Sequence, residues 1–173
     1  DFRNFYKVNK QEELFNLEII LKRCASIIEA ALYMNEIKLI ADYDSTLDTT
    51  GLRNEFSQTI INILSNAKDA LIEKVDIDNK RLIFIDLYSK EDKIIIKIKD
   101  NAQGIPKDIM NDVFQQHFTT KEENGNGIGL FMSKQIIDEH MGGLLEVENI
   151  TYEYQEETYT GAQFTITLNQ IEN

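Results

Sequence analysis

Residues 53–74, RNEFSQTIINILSNAKDALIEK, decide the fold. Phe56, Ile60, Ile63, Leu64, Ala67 and Leu71 recur at three- and four-residue steps with no glycine or proline among them, which predicts a long helix with one apolar stripe. Such a stripe must be buried against another layer. The two β-rich runs that follow, RLIFIDLYS from residue 81 and KIIIKIKD from residue 93, supply a sheet, and the charged residues Lys90 to Asp92 between them mark a hairpin.

Working upstream, Ile20, Cys24, Ile27, Ile28 and Ala31 predict a second amphipathic helix over 17–33, ended by Asn35. Ile37, Leu39 and Ala41 alternate as a short strand, residues 44–51 (DSTLDTTG) read as a polar loop, and residues 1–16 read as a connector. Downstream, Gly104 and Pro106 place a loop in NAQGIP, and residues 106–114 have room for one or two helical turns. Residues 115–126 (QQHFTTKEENGN) form a polar stretch with little periodicity, of a length that inside a compact domain is usually functional. Helical spacing resumes over 128–141 through Leu130, Lys134, Ile137 and Met141, and Gly142-Gly143 ends it. Residues 144–147 and 162–168 close the chain as strands, with EYQEETYTG between them read as a loop. The expected architecture is a two-layer α/β sandwich, with three helices on one face of a mixed, largely antiparallel five-stranded sheet.

The 173 residues suit one domain, and 30 acidic against 18 basic side chains give a net charge of −12. That field repels phosphate backbones and anionic lipid, so nucleic acid and direct membrane contact are not expected. No apolar run approaches the ~18 residues of a membrane span. The one cysteine, Cys24, has no internal partner, which suits a reduced, cytoplasmic compartment. Asp1 in place of methionine suggests a processed chain or a fragment.

Gly125, Gly127 and Gly129 precede a helix, where unpaired N–H groups and the helix dipole can hold phosphate; taken alone, a flexible turn is an equal reading. No Gly-Lys-Ser/Thr follows, so this is not a Walker loop, and no parallel β-α-β unit surrounds it as in a Rossmann fingerprint. Asn62 and Asn66 lie four apart on the helix face opposite the apolar stripe, where amide oxygens can complete the shell of a phosphate-bound Mg²⁺. Asp100 ends a buried strand, and a carboxylate there can accept from an exocyclic amino group while Gly104 lets backbone lie against a planar ring. Each of these, taken singly, has an ordinary structural reading: solvated asparagines, or an aspartate capping its turn.

Together, Asn62-Ile63-Leu64-Ser65-Asn66-Ala67-Lys68-Asp69-Ala70, Asp100-Asn101-Ala102-Gln103-Gly104-Ile105, Val113-Phe114 through Phe118-Thr119-Thr120-Lys121, and Gly125 to Leu130 occur in a familiar order. The set resembles the N, G1, F and G2 boxes of the sensor histidine kinase catalytic domain, in the Bergerat-type superfamily shared with gyrase B, Hsp90 and MutL. It covers about residues 17–168.

The resemblance implies the following roles. Asn66 and Asn62 would bind Mg²⁺ and the ATP phosphates. Asp100 would recognise the adenine amino group and Gly104 would line the ring, with Ile105 beside it in the same ATP-binding set. Thr119, Thr120 and Lys121 would belong to a mobile ATP lid, and Gly125, Gly127 and Gly129 with Leu130 would form its hinge and phosphate cradle. Ala102 stands where relatives carry a glycine, and Asp69 where many carry a basic residue, so a narrower pocket and a missing phosphate contact are expected there. Residues 1–16 would then be the remnant of a preceding dimerisation and histidine phosphotransfer helix, and residues 17–173 the ATP-binding catalytic domain.

Hydrolytic members carry a glutamate four residues before the asparagine matching Asn66; here that residue is Asn62, which cannot act as a general base. The resemblance therefore implies transfer of the γ-phosphoryl group to a histidine on a separate dimerisation domain, for relay to a response regulator receiver domain. Neither His117 nor His140 has the context of the acceptor, which is expected outside this chain. Two alternatives stay open: a hydrolytic ATPase of the gyrase or MutL kind, and a non-catalytic nucleotide-binding scaffold.

Overall fold

The computed structural model describes residues 11–118 and 127–171. Among them, β1 (Glu13–Asn16), α1 (Leu17–Met34), β2 (Ile37–Tyr43), β3 (Asp48–Gly51), α2 (Arg53–Lys74), β4 (Arg81–Lys90), β5 (Lys93–Asp100), α3 (Gly129–Gln135), β6 (Leu144–Tyr154) and β7 (Glu157–Asn169) follow in order. Among the described residues a 3₁₀ turn covers Met110–Asp112, and a π-helical turn, Ile136–His140, continues α3.

The main sheet has the order β2-β4-β5-β7-β6, with β2 and β4 parallel and every other pair antiparallel. This is the expected mixed five-stranded sheet with helices on one face. Its inner face is built by alternation along β5, where Ile94, Ile96 and Ile98 are buried, and along β7, where Phe164, Ile166 and Leu168 meet them from the next strand. All six residues of the predicted α2 stripe are buried against that face. Asn16 caps α1 by accepting from the Ile19 N–H at 3.1 Å, and Asn35 closes it with its own backbone N–H.

The structure departs from the sequence reading in four places. Residues 13–16, at the end of the expected connector, and residues 48–51, expected as loop, pair as the antiparallel strands β1 and β3 and bring Phe15 into the core. Residues 153–161 are not a loop: β6 and β7 run on as a long hairpin that turns at Gln155 and Glu156, both with positive φ. Ile27 is exposed (61%) because Cys24 and Ile28 already fill the α1 face that meets α2. The last predicted helix changes to π-type at Ile136, where the Met141 N–H bonds back to the Ile136 carbonyl, before Gly142 (φ +62°) ends it.

One side chain, Arg81, ties the ends of two helices to the sheet. Arg81, buried at the start of β4, donates from Nε and Nη2 to the Val75 carbonyl (2.9 and 2.6 Å) and from Nη1 to the Asn35 carbonyl (2.9 Å), joining the C-termini of α1 and α2. Cys24 is buried under Ser57, and desolvation pushes its thiol up to about 11, so it is an inert core group. No described helix is long and apolar enough to cross a membrane.

Candidate functional site

The candidate residues gather where β5 ends and α2 runs alongside. Asp100, the last residue of β5, is 4% exposed. Its Oδ1 accepts from the Ala102 N–H (2.9 Å) and the Ala162 N–H (3.2 Å); among the described residues nothing donates to Oδ2. Burial raises the Asp100 pKa, and the two backbone donors and the nearby Lys74 charge act against it. A buried carboxylate with one oxygen anchored and the other unclaimed is suited to accept a hydrogen bond from a ligand.

The loop after Asp100 is tied on every side. Asn101 accepts from the Leu82 N–H and donates to the Lys80 carbonyl, both at 2.8 Å, and Gln103 donates from its backbone to Thr160 at 2.9 Å. Gly104 adopts φ +81°, a left-handed conformation that favours glycine, and a Cβ there would meet Asn149 Oδ1 at 2.6 Å. Lys74 Nζ donates to the Gly104 carbonyl at 2.9 Å. Ala102 is buried at 2% exposure, its methyl packed in the core.

On α2, Asn62, Asn66, Ala70 and Lys74 follow one another at four-residue steps along one side of the helix. The Asn62 end meets α3: Asn62 Nδ2 faces the Gly129 carbonyl and Ser133 Oγ, each at 3.4 Å, and Asn62 Oδ1 accepts from Gln58 at 3.0 Å. The Lys74 end meets the Gly104 loop. Asn66, half-buried, lies between. Asn62 is therefore an α2–α3 contact as well as a site candidate, whereas the sequence places it on a solvated face. Beside them Asp69 pairs with Lys68 at 2.8 Å.

The segments flanking the expected lid converge. The His117 N–H donates to the Gly127 carbonyl at 3.0 Å, and Gly129 and Leu130 open α3. Lys134 Nζ binds Asp138 (2.7 Å) and the Leu145 carbonyl (2.8 Å) while lying 5.2 Å from the Phe114 ring centre, which joins that region to β6. Thr119, Thr120, Lys121 and Gly125 lie outside the described residues. His140 stands at the surface with Nδ1 3.4 Å from Glu55.

The sequence reading passed over Lys74, Asn149, Tyr152 and Gly161. Asn149 holds the Ile105 backbone by two hydrogen bonds, Tyr152 donates its hydroxyl to the Asp100 carbonyl (2.8 Å), and Gly161 has that carbonyl against its Cα. Only Gly161 carried a signal, as a glycine inside a β-rich stretch marking close backbone approach.

Among the described residues no group of three or more His, Cys, Asp or Glu side chains is placed to hold a metal. The donors on α2 are amides, a set that fits a divalent cation taking most of its ligands from phosphate oxygens.

Residues 51–171 match the family model described as histidine kinase-, DNA gyrase B-, and HSP90-like ATPase. Sporulation kinase A of Bacillus subtilis is 27% identical over 135 residues, 78% of this chain and 21% of its own length. The putative sensor histidine kinase NtrY-like of Rickettsia bellii is 31% identical over 130 residues, 72% of this chain and 20% of its own. The chain thus spans about a fifth of these curated relatives. Among solved structures, the catalytic domain of histidine kinase ThkA superposes with a TM-score of 0.75 at 20% identity, over 92% of this chain and 96% of that one. ThkA in complex with the response regulator protein TrrA gives 0.70 at 20% identity, over 92% of this chain and 42% of that one. With its fold shared by these structures and 51–171 matched by the model, the chain belongs to the histidine kinase-, DNA gyrase B- and HSP90-like ATPase family.

Proposed function

We propose that this chain is the ATP-binding catalytic domain of a sensor histidine kinase, which presents the γ-phosphoryl group of Mg-ATP to a histidine on a separate dimerisation domain, for relay to a response regulator. The observation that carries the reading is Asp100, a buried carboxylate with one oxygen held by two backbone N–H groups and the other without a donor among the described residues. In this reading Asp100 accepts from the adenine amino group, while Gly104 and Ile105 border the ring. Asn66 provides the amide for Mg²⁺, and Asn62 joins it on giving up the Gln58 hydrogen bond. Gly127, Gly129 and Leu130 border the phosphates, with Thr119, Thr120, Lys121 and Gly125 completing the set. The protein's part is positioning and charge neutralisation, since phosphoryl transfer asks little covalent chemistry of it.

Of the relatives named above, one is a sporulation kinase and the other a putative sensor histidine kinase, and a solved neighbour is a histidine kinase in complex with a response regulator protein, which supports both the acceptor class and the partner. Asn62, where a hydrolytic site needs a general base, disfavours a dedicated ATPase. Isothermal titration with a non-hydrolysable ATP analogue and Mg²⁺ tests the reading. Saturable heat that disappears in Asp100→Ala is expected, and no saturable heat with the wild-type chain would leave only a scaffold.

A further inference from the structure

Asn149 lies opposite Ala162 in the β6–β7 ladder, and Ala162 is the residue whose N–H donates to Asp100 Oδ1. Alternation along β6 turns Asn149 to the same side as buried Leu145, toward the helices and the loop that follows β5. There it grips the backbone of Ile105 at both ends: the Ile105 N–H donates to Asn149 Oδ1 at 2.8 Å, and Asn149 Nδ2 donates to the Ile105 carbonyl at 2.7 Å. The same amide oxygen is the atom that a Cβ on Gly104 would strike. From the opposite side Lys74 holds the Gly104 carbonyl. Gly104 and Ile105 are thus clamped between β6 and the end of α2, while Asp100 is fixed independently by Ala102 and Ala162.

We propose that Asn149 is a positioning residue for base recognition: it fixes Gly104 and Ile105 at the distance from Asp100 that an adenine ring requires, without touching the nucleotide itself. The proposal rests on the nucleotide-binding reading above. An amide is suited to this task because it offers one acceptor and one donor to the N–H and C=O of a single residue. With the latch cut, Gly104 and Ile105 regain part of their backbone freedom, which the bound nucleotide must then remove, at a cost on the order of a tenfold loss of affinity. Because the slot loses its shape, adenine loses its advantage over guanine as well.

The test is competitive titration of the full chain with Mg²⁺ and non-hydrolysable ATP and GTP analogues, for wild type, Asn149→Ala and Asn149→Asp, with melting temperatures taken alongside. Asn149→Ala should bind the ATP analogue about tenfold more weakly and lose a similar factor in ATP-over-GTP preference, with an unchanged melting temperature. Asn149→Asp, which keeps the acceptor for the Ile105 N–H, should fall between. Unchanged ATP affinity in Asn149→Ala would overturn the proposal. So would an equal loss for both analogues accompanied by a lower melting temperature, since that marks a merely structural residue. A wild-type chain that binds neither analogue would remove the nucleotide reading itself, an outcome distinct from a failure confined to Asn149.

Discussion

Asp100 and Gly161 are packed so closely that a Cβ on Gly161 would stand 1.8 Å from the Asp100 carbonyl oxygen. The Tyr152 hydroxyl donates to that same oxygen, so the end of β5 is held against the β6–β7 hairpin from two directions. Gly161→Ala must force the strands apart at the residue we place on the adenine. Overpacking of this kind costs about 1–3 kcal/mol, and chemical denaturation should show it. Nucleotide affinity should fall in the same variant, because Asp100 cannot stay in place while its backbone moves. A variant with native stability and affinity would mean that this contact is slack.

The pH dependence of binding follows from the burial of Asp100, which raises its pKa. Between the unfolded and folded values the native chain holds the proton that the unfolded chain has released, so stability declines as pH rises through that window. Nucleotide binding runs the other way. The ionised carboxylate is the acceptor for an amino group, so affinity should fall on acidification at a pH above the ordinary aspartate range. Titrations at stepped pH check this, and Asp100→Asn, which cannot titrate, should bind more weakly with that acid limb removed.

Arg81 is the main polar tie between the C-termini of α1 and α2. Replacing it with methionine keeps much of the buried stem and removes three donors from two carbonyls. Ties between a charged group and a backbone acceptor contribute about 1.5–3 kcal/mol, so freeing the two carbonyls should lower the stability of Arg81→Met by at least about 3 kcal/mol. Urea unfolding measures it. Nucleotide affinity measured well below the midpoint should change little, since Arg81 lies outside the site.

Two hairpins turn on residues poorly suited to their backbone. Glu91 and Asp92 have φ of 51° and 60°, and Gln155 and Glu156 have φ of 50° and 66°. Two-residue turns with both φ positive favour Asn-Gly, and an ordinary side chain in the left-handed region costs about 1 kcal/mol. Glu91→Asn with Asp92→Gly should therefore raise the stability of the chain by about 1 kcal/mol, read from its denaturation midpoint.

These turns also explain what the sequence concealed. The first hairpin was legible because Ile94, Ile96 and Ile98 alternate on one flank and a charged stretch breaks the pattern. The second was not: Gln-Glu is no turn signature, and its flanks carry tyrosines, threonines and glutamates on an exposed extension. The α2 stripe was readable because burial against a sheet imposes one period on one face, and all six of its residues are in the core. Strands β1 and β3 were hidden by being four residues each and mostly polar, with a partner more than thirty positions away. Asp100 and Gly104 could be picked out by residue type and place. Asn149 could not, because its partner is main chain 44 residues distant, and any sequence can supply a peptide group.

In the proposed function, phosphate passes to a histidine on a separate domain. The chain should be mixed with γ-labelled ATP, Mg²⁺ and the histidine-bearing helical hairpin of its parent kinase, and label on the hairpin followed with time. We predict acid-labile, base-stable phosphate on the hairpin, lost when Asn66 or Asp100 is replaced by alanine and retained at a reduced rate in Asn149→Ala. Label released only as inorganic phosphate, at the turnover of a dedicated ATPase and with none on the hairpin, would contradict the account.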